Sequence, residues 1–266
     1  MLRLDLFLVQ NGFITSREKA KRIIQGGYVF VNGQVVQKAA LAIDEQDRVE
    51  VKLPENDYVS RGGYKLQKAL DVFSFSVKDK IVADLGASTG GFTDCLLKNG
   101  AKKVYAIDVG TNQLTESLRK HPDVVVMEKT NARQLNTASF SDSVQLITAD
   151  LSFISLRLVF PVFASILSEN DSAICLVKPQ FEAGKENIGK GGIVKDAKTH
   201  KIVLNELLLD ARNNGFIPFG LTFSPITGGD GNIEFLLGLK KSKDEFENLD
   251  VASIVDAAHS ALKKRR

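Results

Sequence analysis

The sequence predicts an α/β protein: an open, Rossmann-like sheet of parallel strands with a final antiparallel strand, preceded by a small N-terminal α+β module. Three observations predict it. From about Gly62 onward, apolar strands at 81–85, 103–107, 123–127, 144–149 and 172–177 alternate with helical stretches near 92–99, 112–119, 155–167 and 196–213. Strands this uniformly apolar are buried on both faces, as in a parallel sheet covered by helices. Two further strands, near 217–224 and 232–240, are joined by the short stretch 224–231, a connection that suits only an antiparallel pair. Residues 1–57 have a different pattern, with short helices, a hairpin and no strand–helix–strand alternation.

In the first module, Leu2, Leu4, Leu6, Phe7 and Leu8 open a helix that stops near Asn11 and Gly12. Thr15 or Ser16 caps a second helix, with Glu18 near its start and Gly26 and Gly27 at its end. Residues 28–31 read as a strand, Asn32 and Gly33 as a hairpin turn, and 34–36 as its return. Residues 47–53 alternate as another strand, and 54–57 are turn-rich. The expected division is a module at 1–57, a linker at 58–63, a main domain at 64–243 and a basic C-terminal helix within 244–266. The main domain opens with a helix over 64–73, and the C-terminal helix is expected over 244–264.

The net charge of +3 over 266 residues says little, but its distribution says more. Residues 3–38 hold six basic side chains (Arg3, Arg17, Lys19, Lys21, Arg22 and Lys38) and two acidic ones, whereas residues 39–57 hold two basic and six acidic. Arg17 and Lys21, four apart on the second helix, share a face. With Arg3 and Lys38 they make a candidate basic patch for RNA phosphates. A solvated helix face is the alternative. Two cysteines, Cys95 and Cys175, are too few for a metal site and read as a reduced pair, so no metal is expected. No signal peptide is visible. The most apolar stretch, 151–167, is interrupted by Arg157 and Pro161, too short and broken to cross a bilayer. A cytoplasmic location with no membrane partner and no obligate protein partner is expected.

The run Asp84-Leu85-Gly86-Ala87-Ser88-Thr89-Gly90-Gly91-Phe92 ends the first strand of the main domain and opens a helix. Glycines there allow a tight turn and a close approach of backbone to a ligand, and the helix start adds free N–H donors. Asp108 closes the next strand, 22 residues after Gly86, where a carboxylate can accept hydrogen bonds from ribose hydroxyls. A dinucleotide site would want glycine where Ser88 stands, and a phosphate loop would want Gly-Lys-Ser/Thr. S-adenosylmethionine carries no phosphate and needs neither. Asp84 at the strand tip suits its cationic amino-acid end, and Asn131, at the tip of the third strand, suits its adenine. Gly86, Ser88, Thr89, Gly90, Asp108 and Asp150 complete the candidate cofactor set. A loop that merely packs strand against helix is the bland alternative.

Asp150 and Lys178 end the fourth and fifth strands, where charges are costly unless paired or functional. Lys65 lies on the helix before the sheet, just after Arg61, and Glu234 in the final strand. In that order Lys65, Asp150, Lys178 and Glu234 resemble the Lys-Asp-Lys-Glu tetrad of the FtsJ-like ribose 2′-O-methyltransferases. The words SRGGYKLQKAL, DLGASTGGFTD, ADLSFISL, LVKPQFE and GNIEF resemble the TlyA family, often called hemolysin A, over about residues 2–240. In the N-terminal module, RLDLFLVQ, SREKAKRIIQGGYVFVNG and KAALAI are similar to the alpha-L RNA-binding motif. The resemblance implies methylation of a cytidine ribose in ribosomal RNA, with ribosomal RNA or a ribosomal subunit as partner. Lys178 would be the base, or a cation orienting the hydroxyl; Lys65 is a catalytic candidate or, alternatively, a contact for an RNA phosphate, and Arg61 is a candidate RNA contact.

Other readings are weaker on the residues. An amine methyltransferase would want Asn/Asp-Pro-Pro-Tyr/Phe where Asp150-Leu151-Ser152-Phe153 stands. A cytosine-carbon enzyme needs a cysteine at a strand tip, but Cys175 sits inside a strand. A membrane-active protein would have to rely on helix 244–264, and a silent RNA-binding scaffold would not need the tetrad. Residues 181–196, rich in glycine and lysine, read as a lid over the cleft or a structureless loop. The four cations 263–266 read as an RNA contact or a frayed tail.

Overall fold

The computed structural model describes residues 2–14, 16–25, 27–44, 46–52, 57–244 and 249–263. They fall into two compact units, Met1–Asp57 and Tyr58–Arg266.

In the first unit the chain opens with a two-residue strand, β1 (Leu2–Arg3), before helix α1 (Leu4–Gln10). The sequence had placed these residues in one helix. β1 pairs antiparallel with β4 (Ala42–Ile43), a strand too short to show any alternation. Helix α2 (Arg17–Gln25) is capped by Ser16, whose Oγ accepts the Lys19 N–H at 3.2 Å; Thr15 and Gly26 lie outside the described residues. β2 (Val29–Val31) and β3 (Gln34–Val35) form the expected hairpin. Its turn has φ of 51° at Asn32 and 77° at Gly33, the pair of positive angles that a type I′ turn demands. β5 (Val49–Val51) lies on the other edge of β2. Leu4, Leu8, Ala20, Ile23, Ile24, Val29, Val31 and Ile43 close a small core.

The second unit begins earlier than expected. Tyr58 is fully buried, its ring lies edge-on to Tyr64 at 5.1 Å, and its hydroxyl donates to Gln67 Oε1. Residues 58–63 are therefore built into this unit rather than linking to it. The elements follow in order: α3 (Gly62–Val72), β6 (Ile81–Leu85), α4 (Gly91–Lys98), β7 (Lys103–Ile107), α5 (Glu116–Arg119), β8 (Val124–Met127), β9 (Leu146–Ala149), α6 (Phe160–Ile166), β10 (Ser172–Val177), α7 (Pro179–Glu182), α8 (Ala197–Asn213), β11 (Phe216–Phe223), β12 (Phe235–Lys241) and α9 (Val251–Lys263). The seven strands are ordered β11-β12-β10-β9-β6-β7-β8, and β12 alone runs antiparallel to its neighbours. Alternate strand residues serve opposite faces. Ala83, Tyr105, Ile147 and Cys175 join α6, α8 and α9 in one core, and Val82, Val104, Leu146 and Ile174 join α3 and α4 in the other.

Several boundaries differ from expectation. The stretch 155–167 is split into a 3-10 turn (Leu156–Leu158) and α6, which Pro161 helps start. Glu234 immediately precedes β12 instead of lying within it. Residues 181–196 are structured: α7, a 3-10 turn at Lys185–Asn187 and a bridge between Gly189 and Ile193. The buried Asn232 staples this segment, accepting the Val194 N–H at 3.0 Å and donating to the Gly192 carbonyl at 2.9 Å. The last helix begins at Val251, and its Val251, Val255 and Ala258 lie in the same core as α8. Its apolar face is thus already covered. Residues 245–248 and the cations 264–266 fall outside the described residues. No described helix is long and apolar enough to cross a membrane.

Candidate active site

β6 and β9 are parallel neighbours, and the chain continues from them toward opposite edges of the sheet. Their carboxyl ends mark the switch point where open α/β sheets bind ligands. The loop after β6 turns on residues with positive φ: 81° at Gly86, 48° at Ser88 and 98° at Gly90. A Cβ on Gly86 would stand 2.5 Å from the Asp150 carbonyl oxygen, so glycine lets the two strand-tip loops touch. Asp108 organises the loop's far side: Oδ2 accepts the Ser88 N–H at 2.8 Å and Oδ1 the Gly110 N–H at 2.7 Å. The Thr89 carbonyl accepts the Thr115 N–H, and the Asn131 Oδ1 caps a 3-10 turn by accepting from Arg133 N.

Asp84 is not at the loop surface. It is 0% exposed and accepts hydrogen bonds from Thr93 Oγ1 at 2.6 Å and Thr148 Oγ1 at 2.9 Å. Burial pushes its carboxyl up to about 7. With Oδ2 tied to α4 and Oδ1 to β9, it braces the glycine loop from beneath instead of standing at the loop surface as the sequence suggested. The sequence signal for this was the register, since Thr148 is the β9 partner of Asp84.

The tetrad assembles as two ion pairs. Lys65 Nζ, from the buried face of α3, lies 2.6 Å from Glu234 Oε2, with the side chains 10% and 3% exposed. Lys178, immediately after β10, has its Nζ 2.7 Å from Asp150 Oδ1 and donates to Ser152 Oγ at 2.8 Å. Burial raises the Glu234 carboxyl above its ordinary range while Lys65 pulls it back, and the charges of Asp150 and Lys178 are also felt there. Asp150 Oδ1 is itself buried, and the Lys178 ammonium is the charge set against it. At the same mouth Phe153 is 91% exposed with φ of +64°, its ring 5.2 Å from that of Phe181.

Residues 58–241 match the family model described as FtsJ-like methyltransferase, and residues 2–49 match the S4 domain. The chain belongs to the FtsJ-like methyltransferase family. Among its relatives, YqxC of Bacillus subtilis (strain 168) is 49% identical over 99% of this chain and 96% of its own. The 16S/23S rRNA (cytidine-2′-O)-methyltransferase TlyA of Mycobacterium tuberculosis (strain ATCC 25618 / H37Rv) is 40% identical over 98% and 97%. A solved structure from Streptococcus thermophilus, named a hemolysin, superposes with a TM-score of 0.79 at 44% identity, covering 99% and 98%. The TlyA family resemblance therefore holds along the whole chain.

In this FtsJ-like methyltransferase, Arg61 Nη2 donates to the Thr227 carbonyl at 2.7 Å and stays exposed. Within the S4 unit, Arg3 and Arg17 are brought together by Asp5. Its carboxylate, with no exposed surface, accepts Arg3 Nε at 3.0 Å and Arg17 Nε at 2.9 Å. Those two bonds, Arg3 first, hold the Asp5 carboxyl well below the usual range. Ala39, next to Lys38, accepts the Asp5 N–H, so Lys38 belongs to the same neighbourhood, while Lys21 is exposed on α2. Lys19 is occupied by Asp57 at 2.6 Å. Sequence reasoning counted Asp5 against the basic patch and missed that it gathers the arginines. It also missed Ser152 and Phe153, because neither exposure nor a partner 26 residues away is written in local pattern.

Proposed function

We propose that this enzyme methylates a ribose 2′-hydroxyl, that of a cytidine in ribosomal RNA, using S-adenosylmethionine. The observation carrying the proposal is the pairing of Lys65 with Glu234 and of Asp150 with Lys178 at the strand ends beside the Gly86 loop. S-adenosylmethionine supplies a methyl group on a sulfonium, activated for in-line transfer. The residues present suit that ligand. The left-handed glycine loop sets its backbone against the tip of the strand that ends at Asp150, and the donor set around it, carboxylates at Asp108 and Asp150 with an amide at Asn131, suits a cationic adenosine ligand. Asp108 retains lone pairs for ribose hydroxyls beyond those given to Ser88 and Gly110. Gly86, Ser88, Thr89, Gly90, Asp108, Asn131 and Asp150 would hold it.

A ribose hydroxyl is a poor nucleophile, so alignment and control of its proton dominate the barrier. An ammonium has three hydrogens. Lys178, with Asp150 and Ser152 as neighbours, keeps one for the 2′-oxygen. Lys65 and Glu234 close the other side of the tetrad, and Phe153 offers an open ring face for a nucleobase. The S4 unit, through Arg3, Arg17, Lys21 and Lys38, grips RNA phosphates, with Arg61 serving beside the catalytic centre. Such a substrate puts the enzyme in the cytoplasm.

The test is methyl transfer from labelled S-adenosylmethionine to ribosomal subunits and to naked ribosomal RNA. Label in an alkali-resistant dinucleotide is the expected result. Lys178→Ala should retain cofactor affinity while lowering the single-turnover rate by about a hundredfold or more. A rate that rises with pH to a plateau assigns Lys178 as the base, and a flat profile assigns it as the orienting cation. Label on a base, or a Lys178→Ala enzyme at the full rate, would overturn the proposal.

A further inference from the structure

α7 is only four residues long, yet charged side chains stand at both of its ends, Lys178 as its N-cap and Glu182 as its last residue. A lysine and a glutamate four apart on a helix commonly pair with each other. Here both reach across to the segment that follows β9. Lys178 Nζ donates to Ser152 Oγ at 2.8 Å. Glu182 Oε2 accepts the Ser155 hydroxyl at 2.5 Å, and Oε1 accepts the Leu156 N–H at 2.8 Å. The Glu182 side chain is 1% exposed.

Burying a carboxylate is costly, and an apolar side chain of similar size would serve packing alone. What the carboxylate adds is two acceptors in a fixed fork. Burial raises its carboxyl above the ordinary range, against the pull of Ser155, Leu156 and Arg157. Arg157 extends the tie: its guanidinium lies 4.0 Å from Glu182 Oε2, 2.7 Å from Glu206 Oε2 and 3.1 Å from Asp210 Oδ2, the last two on α8. The segment 150–157 is thereby fastened at its far end, while its near end carries Asp150, Ser152 and Phe153.

We propose that Glu182 is a positioning residue for methyl transfer, holding segment 150–156 in register with Lys178 so that Asp150 and Ser152 keep the amine in place. The proposal rests on the reading of Lys178 given above. Without the fork, the segment shifts relative to the end of β10, and an ångström of misplacement at a reacting centre is enough to lose about a hundredfold in rate.

The experiment uses the full chain, with single-turnover methyl transfer to ribosomal RNA at saturating S-adenosylmethionine and cofactor affinity measured by calorimetry. Glu182→Ala should lower the rate at saturating cofactor by about tenfold to a hundredfold, well beyond the few-fold loss of cofactor affinity expected from the shift of Asp150. Glu182→Gln should recover most of the rate, since the amide oxygen accepts from Leu156 and the amide nitrogen meets the Ser155 oxygen. Adding Glu182→Ala to Lys178→Ala should cost nothing further, because the fork acts through Lys178; residues acting as a unit are non-additive. Full additivity, or a Gln variant as slow as the Ala variant, overturns the proposal. Should Glu182→Ala not fold, Ser155→Ala removes one of the two bonds from a half-buried site and should slow transfer several-fold with the same non-additivity; wild-type rate there overturns it. A normal Lys178→Ala rate strikes the reading of Lys178 itself. A normal Glu182→Ala rate beside a slow Lys178→Ala strikes only the fork.

Discussion

Replacing Lys65 by methionine separates what the buried pair does for stability from what it does for chemistry. Lys65 Nζ and Glu234 Oε2 are 2.6 Å apart with almost no solvent contact. At an effective dielectric of about 20 their gross attraction is about 6 kcal/mol, and desolvation of the two charges takes back much of it. Methionine fills the same volume but leaves Glu234 buried without its partner. Breaking a pair in this way costs about 3–5 kcal/mol. The lower end applies here, because the raised Glu234 carboxyl can protonate and shed part of the penalty. Lys65→Met should therefore lower unfolding free energy by about 3 kcal/mol in a denaturant titration near neutral pH. Lys65→Met with Glu234→Leu should regain most of that loss, since two apolar side chains replace a buried ion pair at little net cost. Methyl transfer should stay at least about a hundredfold slow in both. A double variant that recovers stability and turnover together would refute the catalytic reading and leave the pair a structural one.

Gly86→Ala should be damaging out of proportion to one methyl group. The new Cβ would meet Asp150 backbone at 2.5 Å with φ at +81°, so the strand-tip loops must part. A loss of about 1–3 kcal/mol in stability and a marked loss of S-adenosylmethionine affinity by calorimetry are expected; unchanged affinity would remove the loop from the site. A third prediction concerns pH. His200 of α8 and His259 of α9 meet with ring nitrogens 2.9 Å apart inside the core. Burial first, then His259, depress His200 from 6.5 to about 4. A depressed histidine binds protons more weakly when folded, so its contribution is intact above pH 6.5 and is lost as pH falls toward 4. Between pH 7.5 and 5 the loss from this group is about 2 kcal/mol. The test is the difference in acid sensitivity between wild type and His200→Gln in denaturant titrations; equal slopes would contradict it.

The order of elements was legible because it rests on local signals. Apolar strands, Asn32-Gly33, Ser16 and the glycines of the β6 loop each act within a few residues. Asp150 and Lys178 were legible as candidates too, since charges at the ends of apolar strands are conspicuous, and Lys65 and Glu234 joined them through the resemblance to the FtsJ-like tetrad. Partnership was not. Lys65 and Glu234 are 169 residues apart, and nothing local says whether Lys65 faces Glu234, Asp150 or RNA. The 58–63 segment shows the same limit, reading as a linker until the Tyr58 ring is seen buried in the second unit.

Sequence by itself therefore determined the fold class, the strand that ends at the glycine loop and the candidate residues for the chemistry. Tertiary structure decided how those residues are used. It turned Asp84 inward to Thr93 and Thr148, made Asp5 the hub of two arginines and set Glu182 to grip the loop beside Lys178. Periodicity and capping depend on a residue's nearest neighbours along the chain, whereas the charge state and role of a carboxylate depend on burial and on which donors packing brings within about 3 Å.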